Sequence, residues 1–224
     1  MFFDRPKSVL CIAPHADDET IGCGGVLARL ASEEIKTKCV LVTSPKPSTL
    51  YTKELCSQKH QEFLMASSIL GLSGTTVLGL EPTKVEETPL GELVKIIGSE
   101  IEEFAPEVVL LPWLYDAHSD HRIIAQAALA SLKWFRQKSV RLVLMYEVVS
   151  ETDQAFVHAF KPSLFVDVSP FLEKKVQALE CYQSEIGIHP FPRSRESTRA
   201  RALLHGASCG VQYAEAFILA RGLI

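Results

Sequence analysis

The stretch SVLCIA at residues 8–13 is an unbroken apolar run, and the polar sequence PHADDE follows it at once at residues 14–19. Parallel strands that are buried on both faces read as continuous apolar runs of this kind. Similar runs occur at residues 38–43 (KCVLVT) and 107–112 (EVVLLP), and longer segments with helical spacing lie between them. This alternation predicts βαβ units and a parallel sheet.

The same alternation continues along the rest of the chain. Further strands are predicted at residues 75–80, 141–148 and 164–168. Helices are predicted at residues 20–34, 53–70, 90–104, 120–137, 170–185, 197–207 and 212–221, with a proline-containing loop at 187–194. The expected fold class is α/β, a Rossmann-like three-layer sandwich with a mostly parallel sheet and helices on both faces. No repeat or linker interrupts the pattern, so residues 1–224 are expected to form a single domain.

The composition excludes several classes of protein. Of the 224 residues, 47% are apolar and 22% are charged, which argues against intrinsic disorder. The 23 basic residues face 27 acidic ones, so no basic surface for nucleic acid is expected. We expect no signal peptide, no membrane span and a cytoplasmic location. The six cysteines form no C-x-x-C pair, and we expect reduced thiols.

Polar side chains cluster directly after the first predicted strand, where open parallel sheets bind their ligands. Residues 14–19 place an imidazole and three carboxylates in one short turn. Adjacent carboxylates repel each other unless a cation is present, and His15 and Asp18 are spaced so that both can face one point. Imidazole and carboxylate together suit Zn²⁺. The alternative is that Asp17 and Asp18 only cap the following helix, which would leave His15 unexplained.

A second cluster, HSDH at residues 118–121, follows the predicted strand at 107–112. Alone it would be read as a pair of surface histidines, but two such clusters at matching strand ends favour one shared site. Together they supply three protein ligands and an open position, as in catalytic zinc sites. The glycines of residues 22–25 (GCGG) come too late after the strand for a dinucleotide-binding turn, so we expect them to permit close helix packing.

With these motifs the chain resembles the PIG-L/LmbE family of metal-dependent N-deacetylases. Residues 14–19 match the family motif P-H-P-D-D-E, with Ala16 in place of proline, and residues 118–121 match H-x-D-H. Residues 213–217 (YAEAF) match a segment common near the end of the family domain. Weaker similarity, including residues 146–152, points to a subgroup associated with bacterial surface glycans.

The resemblance implies a set of roles for individual residues. His15, Asp18 and His121 would bind one Zn²⁺ per chain, with another divalent metal such as Fe²⁺ as an alternative. Asp17 would act as general base and then as general acid. His118 would stabilise the oxyanion, and Asp120 would orient a motif histidine.

The reaction implied is removal of an acetyl group from an N-acetylated amino sugar of the N-acetylglucosamine type, free or as a glycoconjugate or nucleotide sugar. Zinc lowers the pKa of bound water to about 7, so hydroxide is available to attack the amide. Two alternatives stay open. The first is a deacetylase of another small amide, such as a thiol-sugar conjugate or an antibiotic precursor. The second is a non-catalytic protein that binds sugar or metal on the same fold.

Substrate contacts are the least defined part of the expected site. Ser44, Glu185 and Arg193 are candidates, since each lies in or beside a loop near the predicted cleft. Four arginines, at 193, 195, 199 and 201, could bind phosphate or could lie on a solvated helix face. We also expect a homo-oligomer, because symmetric assemblies are common among enzymes of this kind.

Overall fold

A seven-stranded sheet with the strand order 3-2-1-4-5-7-6 forms the centre of the computed structural model, which describes residues 5–49 and 51–223. Leu50, between the second strand and the second helix, lies outside the described residues. The strands are β1 Ser8–Ala13, β2 Lys36–Thr43, β3 Gly74–Leu80, β4 Val108–Pro112, β5 Leu142–Tyr146, β6 Leu164–Asp167 and β7 Ala214–Gly222.

Helices cover both faces of this sheet. They are α1 Asp18–Ser32, α2 Lys53–Leu70, α3 Leu90–Phe104, α4 Ser119–Ser131, the single turn α5 Val149–Thr152, α6 Leu172–Leu179 and α7 Arg195–Cys209. One apolar cluster joins a face of the sheet to α1, α2 and α6, and a second joins the opposite face to α3 and α4. Neighbouring residues of β1 divide between the clusters, Cys11 to the first and Ile12 to the second. The predicted three-layer α/β sandwich is therefore confirmed.

The order of the strands explains why the two polar motifs meet. Strands β1 to β5 are parallel, and β1 lies between β2 and β4. The chain runs outward from β1 through β2 to β3 and then returns to the other side of β1 as β4. A crevice forms at such a switch point, outside the carboxyl ends of the strands. Residues 14–19 follow β1 and residues 118–121 follow β4, so both motifs face this crevice.

The helix predicted at residues 212–221 is wrong. The segment forms β7, which runs antiparallel to β5 and β6 and lies between them, with Phe217 opposite both Tyr146 and Leu164. The segment contains three alanines, one leucine and one glutamate, residues that favour helices, but pairing on two sides outweighs this preference. The helix predicted at 170–185 is also shorter than expected, since α6 is preceded by the 3-10 turn Ser169–Phe171 and followed by turns.

Helix α1 is broken in its middle, at Cys23, whose φ of −145° and ψ of 19° are not helical. The glycines around the break allow close packing, as predicted. A Cβ atom on Gly22 would lie 2.1 Å from Cδ2 of Tyr146, and one on Gly25 would lie 2.9 Å from Cβ of Val168. The first half of α1 can therefore pack directly against the end of β5.

A buried ion pair supplies partners for the backbone groups at this break. The carboxylate of Glu215, on β7, accepts hydrogen bonds from the backbone N–H groups of Gly25 (2.8 Å) and Val26 (2.7 Å). The Nζ atom of Lys175, on α6, donates to the carbonyl of Ile21 (2.7 Å) and to Glu215 (2.6 Å). Because the break would otherwise bury unpaired donors and acceptors, this pair holds the two halves of α1 in place.

All six cysteines are free in the structure. Cys11 and Cys39 of the sheet and Cys23 of α1 are buried in the first apolar cluster, and burial raises the pKa of the Cys11 and Cys23 thiols. Within residues 5–49 and 51–223, no helix is long and apolar enough to span a membrane.

Candidate active site

A cavity of about 220 Å³ opens at the carboxyl ends of β1 and β4. Both polar motifs line it, through His15, Asp17, Asp18, His118 and His121. The loops that follow β2 and β3, the helices α2 and α5 and the segment between α6 and α7 complete its walls. Their lining residues include Ser44, Tyr51, Lys59, His60, Thr83, Ser150, Glu151, Glu185 and Arg193.

Three donor atoms at the base of the cavity form a nearly equilateral triangle. Asp18 Oδ2 lies 3.3 Å from His15 Nδ1 and 3.1 Å from His121 Nε2, and the two nitrogens are 3.2 Å apart. Donor atoms held about 2.0–2.1 Å from a tetrahedral zinc ion are about 3.3 Å from each other. The chemistry and the spacing of this group therefore fit a divalent metal with an open fourth position.

A carboxylate fixes the orientation of each of the two histidines in the triangle. His15 Nε2 donates to Asp120 Oδ2 and His121 Nδ1 donates to Asp116 Oδ2, both at 2.9 Å. With those protons directed outward, the nitrogens inside the triangle keep their lone pairs for a metal. Histidine ligands of metals are usually oriented in this way. Asp120, which the sequence predicts to orient a motif histidine, is placed against His15.

Asp116 is a site residue that the sequence analysis missed. It is buried, and besides His121 it accepts hydrogen bonds from the backbone N–H of Ala117 (2.8 Å) and the hydroxyl of Thr152 (3.2 Å). The signal that could have found it is general: a metal-binding histidine needs a carboxylate or carbonyl on its second nitrogen. An aspartate five residues before His121 was available for that role.

The electrostatics of the triangle favour a positive charge at its centre. Burial alone would lower the pKa of both histidines, but the hydrogen bond that His15 donates to Asp120 helps raise the pKa of His15 to about 9. The carboxylates of Asp18 and Asp116 likewise raise the pKa of His121 to about 10. Burial opposes ionisation of Asp18, yet the two histidines hold its pKa well below the usual range. The raised pKa values favour protonated His15 and His121, and a bound cation would take the place of those protons.

Asp17 lies beside the triangle in a strained backbone conformation. Its φ is 135°, a region that residues other than glycine rarely adopt and that often marks functional sites. The side chain is buried, and its Oδ2 atom accepts a hydrogen bond from Arg193 Nη1 at 2.8 Å. Burial and the neighbouring charge of Asp18 raise the pKa of Asp17, while Arg193 opposes the shift. Asp17 is thus a carboxyl group that can exchange a proton next to the metal position.

His118 caps the N-terminus of α4, and its Nδ1 atom accepts a hydrogen bond from the backbone N–H of Asp120 at 3.1 Å. Burial and the charges of His15 and His121 lower its pKa to about 4. The imidazole is therefore neutral, and Nε2 carries its proton. The ligand atoms of His15, His118 and His121 all lie within 4.8 Å of one another, a looser group than the triangle that contains Asp18.

All three predicted substrate contacts line the cavity, but two of them already have partners within the protein. Arg193 Nη1 donates to Asp17 and lies 3.2 Å from Glu185 Oε2. Glu185 also forms an ion pair with Lys59. Ser44, which follows β2, lies in the cavity wall. Glu185 and Arg193 therefore hold the wall of the cavity and the side chain of Asp17 in position.

The arginine cluster after the 187–194 loop is also paired with carboxylates. Besides Arg193, the pairs are Arg195 with Glu180, Arg199 with Glu173, and Arg201 with Glu147 and Asp153. Because each guanidinium has an acidic partner, the interpretation as a solvated, salt-bridged face is favoured over a phosphate site.

Comparisons with known proteins agree with the geometry. The family model "PIG-L: GlcNAc-PI de-N-acetylase" matches residues 10–132. The diacetylchitobiose deacetylase of Thermococcus kodakarensis is 30% identical over 233 residues, which span 99% of this chain and 86% of that protein. Among solved structures, the N,N'-diacetylchitobiose deacetylase from Pyrococcus horikoshii has a TM-score of 0.79 at 24% identity, covering 99% of this chain and 86% of its own. Protein TT1542 from Thermus thermophilus has a TM-score of 0.76 at 26% identity, covering 96% of each chain.

Proposed function

The chain belongs to the PIG-L family of de-N-acetylases, and from this premise we propose that it removes the acetyl group from an N-acetylated amino sugar. The observation that carries the proposal is the triangle of His15, Asp18 and His121 with the buried carboxylate of Asp17 beside it. A protein that only bound metal or sugar would need neither Asp17 nor the neutral donor of His118. The deacetylase names of the relatives agree with this choice.

We propose that the triangle holds one Zn²⁺ per chain, with Fe²⁺ as the alternative that the same nitrogen and oxygen donors would accept. When bound there, zinc would lower the pKa of a coordinated water and polarise the acetamide carbonyl. Asp120 and Asp116 keep the two histidines in the tautomers that binding requires.

The residues of the chain then divide the proton transfers between them. Asp17 takes a proton from the attacking water, whose oxygen adds to the carbonyl carbon. His118 donates its Nε2 proton as a hydrogen bond to the developing oxyanion. Amines leave poorly as anions, so the protonated Asp17 returns the proton to the nitrogen as the C–N bond breaks. The products are acetate and the free amino sugar, and Asp17 is ready for another cycle.

The pairing of the arginines favours an uncharged sugar as substrate. Arg193, the guanidinium that lines the cavity, already pairs with Asp17 and Glu185, and Arg195, Arg199 and Arg201 also have carboxylate partners, so a phosphate would compete with these ion pairs. The relative from Thermococcus kodakarensis is named for diacetylchitobiose, an uncharged N-acetylated sugar. We therefore propose a glycan or glycoconjugate rather than a nucleotide sugar.

Acetate release by the metal-loaded protein tests the function. We expect acetate from N-acetylglucosamine or N,N'-diacetylchitobiose, loss of activity on chelation and recovery on return of zinc or iron. A nucleotide conjugate of N-acetylglucosamine should react more slowly than the uncharged sugars. If none of these amides, nor a thiol-sugar conjugate, releases acetate while metal is bound, the protein is not a sugar deacetylase.

Replacing His121 with alanine is expected to abolish metal binding, because the remaining His15 and Asp18 provide two donors. Metal content after dialysis, measured by mass spectrometry, checks this result. The matched control is His118→Ala, which should keep its metal and lose roughly 100- to 1,000-fold in kcat, as removal of an oxyanion donor does in other hydrolases. Loss of metal from both variants would instead move the metal site to the three histidines.

A further inference from the structure

Glu151 is a carboxylate on the wall of the cavity that the proposed chemistry does not use. It belongs to α5, the single turn that follows the carboxyl end of β5, and it lines the same cavity as the metal triangle. Its side chain is half-buried, and burial raises its pKa. Within the described residues its carboxylate has no hydrogen-bond or ion-pair partner.

The other carboxylates that line the cavity are all engaged. Asp17 accepts from Arg193, Asp18 is held by two histidines, and Glu185 pairs with Lys59 and Arg193. Glu151 thus differs from every other described acidic group in the cavity wall. Partial burial of a carboxylate without a donor costs free energy, and a ligand that brings hydroxyl groups would recover it.

The neighbouring residue, Ser150, has a second unpaired polar group. Its Oγ atom is buried and has no hydrogen-bond partner among the described residues, and Ser150 also lines the cavity. An ionised carboxylate accepts hydrogen bonds and does not donate them, whereas a hydroxyl does both. Both residues line the cavity, and together their polar groups match a ligand with adjacent hydroxyls, which is the pattern of a sugar ring.

The turn that carries both residues is tied to the metal site. The hydroxyl of Thr152 accepts a hydrogen bond from the backbone N–H of Val148 (2.8 Å) and donates to Asp116 Oδ2 (3.2 Å). Asp116 in turn orients His121. Because this chain of contacts fixes the turn relative to the triangle, a ring held by Glu151 would present its amide at a defined distance from the metal position.

We propose that Glu151, together with Ser150, forms a subsite that binds ring hydroxyls adjacent to the acetamido group and selects sugar amides over simple amides. This inference rests on the proposed function and names the part of the substrate that the enzyme recognises. Glu151 acts as a specificity-determining residue, since it holds the sugar ring and leaves proton transfer to Asp17 and stabilisation of the oxyanion to His118. It also adds a negative charge that disfavours a phosphate near the ring.

The test compares wild type and Glu151→Ala on N-acetylglucosamine, on its monodeoxy analogues and on an N-acetylated amine without hydroxyls. In wild type, removal of the recognised hydroxyl should lower kcat/KM by roughly 10- to 100-fold, as expected for a hydrogen bond to a charged group. Glu151→Ala should lower kcat/KM for the parent sugar by a similar factor, mainly through KM. When Glu151→Ala acts on the analogue that lacks the recognised hydroxyl, kcat/KM should fall no further than it does for either change alone.

Controls separate binding from folding and from chemistry. Glu151→Gln, which keeps the shape of the side chain, should fold and bind metal as wild type does and lose part of the discrimination. Glu102→Ala changes an exposed glutamate on α3 and should leave all substrates unaffected. Two outcomes would overturn the subsite. In the first, Glu151→Ala lowers kcat/KM equally for every amide, including the one without hydroxyls. In the second, the losses from Glu151→Ala and from each missing hydroxyl are strictly additive.

Failure of the proposed function can be distinguished from failure of the subsite. If wild type with bound metal releases no acetate from any amide, calorimetry with the free amino sugar replaces kinetics. Weaker binding to Glu151→Ala than to wild type would still support the subsite, whereas no binding of the amino sugar to wild type would overturn it as well.

Discussion

Replacing Asp17 with asparagine is expected to lower kcat by about 100- to 10,000-fold while the metal content stays unchanged. The carboxylate of Asp17 is buried, is held by Arg193 and lies outside the triangle of donor atoms, so its removal takes away no ligand. Asparagine has nearly the same shape and can still accept a hydrogen bond from Arg193. It cannot take a proton from water or return one to the departing nitrogen.

Acetate release and metal content, measured on the same preparation, check this result. KM should change much less than kcat, because the missing group acts on protons rather than on the bound sugar. A melting temperature close to that of wild type would show that the strained turn at Asp17 persists. Turnover equal to that of wild type would remove Asp17 from the mechanism and leave the base unassigned.

The second large effect concerns stability, and it is expected for Glu215→Ala and for Lys175→Met. Both side chains are buried, and removal of one partner leaves the other charge without compensation, which typically costs about 3–5 kcal/mol. Glu215→Ala also leaves the backbone N–H groups of Gly25 and Val26 without their acceptor. We therefore expect this variant to be the less stable of the two.

Urea unfolding followed by circular dichroism measures both variants. The matched control is Arg199→Ala, which breaks the pair with Glu173 on the protein surface and should change the free energy of unfolding far less. If the Lys175 and Glu215 variants unfold at the same urea concentration as wild type, the ion pair does not support the break in α1.

The sequence predicts those helices whose ends are marked by local signals. Helix α2 is predicted to the residue, since Thr52 caps its first turn through the backbone N–H of Leu55 and Gly71 ends it in a left-handed conformation with φ of 77°. Strand β7 carries no such signal. Its buried Glu215 is stabilised by Lys175, 40 residues earlier in the chain, and such a partner is visible only once the chain has folded.

In the candidate site, too, some features follow from local sequence and others appear only in the folded chain. The two polar motifs could be brought together from the sequence, because the carboxyl ends of adjacent parallel strands meet at one edge, whereas the choice of His15, Asp18 and His121 came from the resemblance to the family. Whether Arg193 would face a substrate or a neighbouring carboxylate depends on the path of the 187–194 loop, and this path is not encoded in a short motif. Glu151 was missed because its significance lies in having no partner, and the absence of a partner is visible only in the folded structure.

The ion pair across the break in α1 also bears on the order in which the protein can fold during synthesis. The contact between Glu215 and the backbone of Gly25 spans 190 residues, and β7 fills the gap between β5 and β6. A nascent chain that ends before β7 already contains both metal-binding motifs, yet it has no acceptor for the free amides of α1. Contacts of such long range form late and slowly. Ribosome-bound chains should therefore acquire a stable metal site only after residue 222 has left the exit tunnel, so that metal capture reports the completion of the sheet.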